Sequence, residues 1–253
     1  MKYAIITGAS SGIGQEFARQ LDQQGYELLL VARRKERLLK LKDELKHAYV
    51  FVADLSKEEQ CYQLFDFVKD KDIDLFINNA GFGDCGEFVE TDLEKEKQMI
   101  LLNIKALHIL MKLFLQKMVK KDHGRILNVA SSAGLMPGGP YMATYYATKS
   151  YVTSLTRGVA RELKEKKSHV YVGCLCPGPV HTEFNEVAQV EFALKGITPQ
   201  YCVSYTLKMM NKGKVTIVPS LLMKTATTAA KFVPAALCVV FVAHQQKKKM
   251  YHE

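Results

Sequence analysis

The sequence predicts a doubly wound α/β domain, and three observations carry that expectation. Short β-branched or apolar runs alternate with helical periods from the first residues to about Cys176, as βαβ units around a parallel sheet do. A turn rich in Gly and Ser follows the first run and leads into a helix. No internal repeat or low-complexity linker interrupts the alternation, so 253 residues, 48% hydrophobic and 24% charged, read as a single domain, 1–253.

Taken in order, the strand runs are Tyr3–Ile6, Glu27–Ala32, Tyr49–Ala53, Leu75–Asn78, Gly124–Ala130, His169–Cys176 and Val215–Val218. Between the first two, Ile13, Phe17, Ala18 and Leu21 recur at helical spacing, and Gly25 stands where that helix needs a left-handed stop. Ser56 followed by Glu59 reads as a capping box opening the helix after the third strand. Leu93–Val119 and Tyr146–Lys166 read as two long helices. After Pro177-Gly178-Pro179, residues 177–212 carry helical patches beyond a strand's C-terminal end, which suits a segment that covers substrate.

The formal net charge of +9 favours anionic partners and says nothing of the fold. No basic stretch is interleaved with aromatics, which argues against nucleic acid as a partner. Cys61, Cys85, Cys174, Cys176, Cys202 and Cys238 are scattered without a CxxC pair; they read as reduced thiols in a cytoplasmic protein, with no metal site. In the C-terminal extension, 219–253, the apolar run Phe232–Ala243 lies between Lys231 and Lys247–Lys249. Twelve helical residues span ~18 Å against ~30 Å of hydrocarbon, too short to cross a bilayer. Burial against the domain or a second subunit is the reading adopted, ahead of contact with a membrane surface.

The loop Thr7-Gly8-Ala9-Ser10-Ser11-Gly12-Ile13-Gly14 carries the first chemistry. Glycine lets backbone N–H groups approach a pyrophosphate, and the helix N-terminus favours its charge. At the end of the second strand, Ala32 is followed by Arg33 and Arg34, with no Asp or Glu between Leu28 and Lys35. A carboxylate there would take the ribose diol of NAD, whereas a cation suits the 2′-phosphate of NADP(H), and Arg33 is the chosen contact.

Tyr145 and Lys149 share one helical face, and no other tyrosine has lysine four residues on. A nearby ammonium favours the phenolate and moves a phenol of pKa ~10 toward service as general acid or base. Ser132, thirteen residues upstream at the end of the fifth strand, is placed to hydrogen-bond the same substrate oxygen.

Together, Thr7–Gly14, Asn78-Asn79-Ala80-Gly81, Ser132, Tyr145, Lys149 and Pro177-Gly178-Pro179-Val180-His181-Thr182 closely resemble the classical short-chain dehydrogenase/reductase family, over about residues 1 to 218. The resemblance implies a Rossmann-type, seven-stranded sheet with helices on both faces. It also implies hydride transfer between NADP(H) and a small carbonyl or alcohol, in a homodimer or homotetramer. By the same resemblance, Gly8, Ser10, Ser11, Gly12, Ile13 and Gly14 hold the pyrophosphate, Asp54 and Leu55 meet the adenine, and Asn79, Ala80 and Gly81 line the cofactor. Lys149 also binds the nicotinamide ribose, Asn103 holds a helix distortion and a relay water, and Pro177, Gly178, Val180 and Thr182 touch the carboxamide. Asp54 equally suits a turn former ahead of Ser56. Tyr141, Met136, Phe184 and Phe192 flank the expected pocket. Two other functions remain open: a dinucleotide sensor or scaffold that needs only the glycine loop, and a membrane-peripheral reductase of lipid-like ketones.

Overall fold

A computed structural model describes residues 2–184 and 196–250. Seven parallel strands run β1 (Lys2–Thr7), β2 (Tyr26–Ala32), β3 (Ala48–Val52), β4 (Leu75–Asn78), β5 (Arg125–Val129), β6 (Tyr171–Leu175) and β7 (Thr216–Ile217). Their order in the sheet is β3-β2-β1-β4-β5-β6-β7, so the winding reverses between β1 and β4. A crevice opens at such a reversal, beyond the strands' carboxyl ends.

Each inner strand is buried on both faces, which is why the strands read as apolar runs rather than alternating ones. On one face Phe17 and Leu21 of α1 (Gly12–Gln23) and Leu38 of α2 (Lys35–Asp43) pack onto Ala4, Ile6, Leu28 and Leu30. On the other, Leu64 of α3 (Glu58–Phe67) and Leu110 and Phe114 of α5 (Leu107–Lys121) pack onto Ile5, Leu29 and Phe76. Gly25 ends α1 at φ 79°, the left-handed stop its position predicts.

Three expectations change. The capping box does not form: α3 starts after Lys57 without a side-chain cap, and the Ser56 hydroxyl donates to Asp54 Oδ1 at 2.7 Å. The helix expected over Leu93–Val119 is α4 (Leu93–Ile100) and α5 joined by a π-helical turn, Leu101–Ala106. Leu93–Lys121 is long and apolar enough to cross a membrane, yet Met99, Asn103, Leu110 and Phe114 are buried, so it is a core helix. The run Phe232–Ala243 is buried only in part. It lies mostly on α9 (Ala235–Met250), which follows α7 (Pro199–Asn211) and α8 (Leu221–Ala229). Cys238 and Val242 face inward, while Phe232, Leu237, Val240 and Phe241 are 62–84% exposed. Cys174 and Cys176 do share a face, with sulfurs 3.8 Å apart as free thiols.

Candidate active site

The crevice holds a cavity of about 550 Å³ that reaches from the glycine loop, past the ends of β2 to β6, to Tyr145 and Lys149. The loop is pinned from β4. The Thr7 hydroxyl accepts from the backbone N–H of Asn79 (2.9 Å) and of Ala80 (3.0 Å), and Asn79 Nδ2 donates to the carbonyls of Thr7 and Gly8. Gly8 sits at φ 66° with Asn79 Nδ2 only 2.7 Å from where a Cβ would stand. Gly12, at φ 53°, packs against Thr182, and Gly14 against the Gly8 carbonyl. Any side chain at these positions would displace the loop. Ser11 is the N-cap of α1 without a side-chain cap, and the first turn carries no acid. Unsatisfied N–H groups at a helix start, with no acid in its first turn, fit a pyrophosphate.

Arg34 Nε and Nη2 both donate to Ser10 Oγ at 3.2 Å, and its Nη1 pairs with Glu183. Arg33 is exposed, lines the same end of the cavity and, among the described residues, makes no hydrogen bond or ion pair. Of the two arginines, Arg33 has the guanidinium available to an added anion. Asp54 and Leu55 line the cavity after β3; Asp54 Oδ1 is engaged by Ser56, so the turn-forming role is present.

Tyr145, Thr148 and Lys149 lie buried on the inner face of α6 (Ala143–Glu165). Lys149 Nζ donates to the Val129 carbonyl at 2.9 Å and lies 5.8 Å from the Tyr145 ring centroid. Burial without a carboxylate partner lowers the Lys149 pKa to about 8. The expected lowering of Tyr145 by that ammonium is reversed: enclosure by Phe184 and Tyr146 pushes the phenol well above its ordinary value. The Tyr145 proton is thus firmly held.

The serine that meets Tyr145 is Ser131, not Ser132. A hydrogen bond with the Ser131 side chain is what opposes the upward shift of the Tyr145 phenol. Ser131 also caps the 3-10 turn Ser132–Leu135, its hydroxyl accepting from Ala133 N–H at 3.1 Å. Ser132 lies one step on, buried at the cavity wall, its N–H donating to the Pro177 carbonyl at 2.8 Å. Counting back from Tyr145 does not separate the two serines, because the count crosses the irregular loop through Gly138 and Gly139.

Asn103 is wholly buried within the π-helical turn. Its Oδ1 accepts from Phe82 N–H at 3.1 Å, and its Nδ2 donates to the Phe82 carbonyl (2.9 Å) and to Thr148 Oγ1 (3.1 Å). The side chain thereby ties the loop after β4 to α6, and a Cβ on Gly81 would crowd Asn103 Oδ1 at 2.8 Å. Val180 is buried and bridges to Ile197, Thr182 faces Gly12, and Gly178 packs on Met223. Met136 and Phe184 line the cavity as expected. Tyr141 turns away at φ 64°, beneath Lys247, and Phe192 lies outside the described residues.

The sequence reading missed one wall. Leu222, Met223, Phe241, Val242 and Gln246 line the cavity mouth, and Gln246 Nε2 donates to the Tyr146 hydroxyl at 2.6 Å. The available signal was periodic: Cys238, Val242 and Gln246 recur every four residues and form the buried stripe of α9.

Comparison with known proteins adds lineage to this geometry. A family model described as short chain dehydrogenase matches residues 2–191. Dehydrogenase/reductase SDR family member 11 of Bos taurus is 35% identical over 194 residues, which span 72% of this chain and 76% of the relative. The oxidoreductase YvrD of Bacillus subtilis (strain 168) is 35% identical over 186 residues, 72% of this chain and 70% of its own. Among solved structures, a short-chain dehydrogenase from Sphingobium yanoikuyae in complex with NADPH superposes with a TM-score of 0.82 at 30% identity, covering 94% of this chain and 95% of that one.

Proposed function

The chain belongs to the short-chain dehydrogenase family of oxidoreductases, and from that membership we propose that it is an NADP(H)-dependent reductase of carbonyl compounds, running in reverse on alcohols. The carrying observation is that Tyr145, Lys149 and Ser131 converge in the cavity that the glycine loop closes at its other end. The dinucleotide supplies the hydride. Ser131 and Tyr145 hydrogen-bond the substrate oxygen, and the phenol, kept protonated by burial, donates its proton as charge develops there. Lys149, fixed by the Val129 carbonyl, holds the ribose edge of the cofactor and offsets the phenolate left behind. Asn103 acts through position, keeping Phe82 and Thr148 at fixed separation beside the site.

The preference for NADP(H) over NAD(H) rests on Arg33. An unpaired guanidinium beside the end of β2, with no Asp or Glu between Leu28 and Lys35, suits a 2′-phosphate better than a ribose diol. The NADPH complex of the Sphingobium yanoikuyae relative supports this choice. A panel of aldehydes and ketones run with NADPH and NADH in parallel tests the whole reading. Steady turnover at least tenfold faster with NADPH at limiting cofactor is expected. No turnover with either cofactor would favour a dinucleotide sensor.

A further inference from the structure

Helices α8 and α9 have one face on the body and the other in solvent. Toward the body, Thr227, Cys238, Val242 and Gln246 are buried, Met223 closes on Gly178, and Val239 lies 3.2 Å from where a Cβ on Gly138 would stand. Outward stand Leu221, Leu222, Phe232, Val233, Leu237 and Val240. Large aliphatic and aromatic groups gathered this way on two successive helices and the turn between them mark a contact surface.

Charge selects the occupant. From Phe192 to His252 the chain carries nine lysines and neither Asp nor Glu. Lys224 on α8 and Lys231 in the turn after it are both exposed, and Lys247 stands on α9 beyond its apolar stretch. A second copy meeting this face across a two-fold axis would set lysine against lysine, with no carboxylate from the segment to pair them. An anionic lipid surface meets both demands at once, taking the apolar side chains below its headgroups and the lysines at its phosphates. The apolar stretch is too short to span such a membrane, and long enough to lie in its surface.

We propose that α8 and α9 dock this enzyme onto an anionic membrane surface, with the cavity mouth facing the lipid. Leu222 and Phe241 belong to both the exposed face and the cavity wall. An apolar carbonyl compound dissolved in the bilayer would then reach Tyr145 past these two side chains. That last step rests on the carbonyl-reductase reading above, whereas the docking does not.

Flotation of the full chain with vesicles separates the two. Phosphatidylcholine vesicles containing phosphatidylglycerol are expected to bind the protein at least tenfold more tightly than phosphatidylcholine alone, with affinity falling as salt rises. The triple substitution Phe232→Ser, Leu237→Ser, Val240→Ser removes outward groups that do not line the cavity, and is expected to lower vesicle affinity at least tenfold. Its rate on a water-soluble carbonyl should stay within twofold of wild type, and its rate on a long-chain ketone carried in vesicles should fall with the binding. Circular dichroism verifies its fold; should it misfold, Lys224→Glu with Lys231→Glu serves instead and should abolish the preference for anionic lipid. Equal, negligible flotation on both vesicle types would overturn the proposal. So would a wild-type dimer in light scattering that the triple substitution dissociates without any vesicle binding, since that assigns the face to a second copy. Binding to vesicles by a chain that reduces no carbonyl would leave the docking standing and remove the enzymatic reading alone.

Discussion

The site body and the C-terminal helix pair are held together in opposite ways. Around the site the side chains are fixed from several elements: Asn103 ties the loop after β4 to α6, Asn79 pins the glycine loop, and Asn78 and Asn128 bond each other and then Leu107 and Thr156. Such a satisfied polar network specifies one geometry, because each buried group left without a partner would cost about 1–3 kcal/mol. On α9, Gln246 donates to Tyr146 and Lys247 stands over the Tyr141 ring, while Gln246 Oε1 is buried with no hydrogen-bond partner among the described residues. The residues proposed for proton transfer sit in the first part, and Leu222 and Phe241 of the cavity wall belong to the second.

Substitutions break that contrast in order of expected size. Tyr145→Phe removes the proton donor and should lower kcat by about 10³-fold while NADPH affinity, read by fluorescence titration, stays within a few-fold. Next comes the pair of serines: Ser131→Ala should cost about 10²-fold in kcat/KM and Ser132→Ala less than about tenfold. The reverse ranking would restore Ser132 to the role its spacing suggests. Arg33→Asp should raise KM for NADPH roughly tenfold or more and leave that for NADH little changed.

Lys149 offers a pH test of burial. Its folded pKa, about 8, lies below the ordinary lysine value, so between the two the unfolded chain binds more protons and stability rises with pH. Below about pH 8 the cost of burying the ammonium is present in full. Lys149→Met abolishes this dependence, so the Tm of the variant relative to wild type should fall by several degrees between about pH 7 and about pH 10. A constant difference would mean that the ammonium is not desolvated. The smallest effect belongs to the helix pair: Gln246→Met loses one hydrogen bond and one orphaned acceptor together, and should move Tm by no more than about 3 °C.

Much of the body was legible because its signals are local. Strands buried on both faces must be apolar throughout, and a loop with φ above zero at Gly8 and Gly12 must have glycine there. Gly25 announced its helix end in the same way. Where tertiary contacts decide, local signals misled. Ser56 had a capping pattern but found Asp54 closer than α3, and the π-helical turn at Asn103 answers to Phe82 and Thr148, residues far along the chain. Ser131 against Ser132 turned on how many residues the loop before α6 takes up. The apolar run of α9 showed its hydrophobicity and not which residues turn outward.

Transfer of deuterium is the most direct measurement. With NADPH labelled at C4 on the transferred side, the carbinol carbon of the product should carry the label, formed by wild type and lost by about 10³-fold in rate with Tyr145→Phe. Unlabelled product, or label transferred at the wild-type rate by Tyr145→Phe, would contradict hydride transfer to a carbonyl with Tyr145 as the acid.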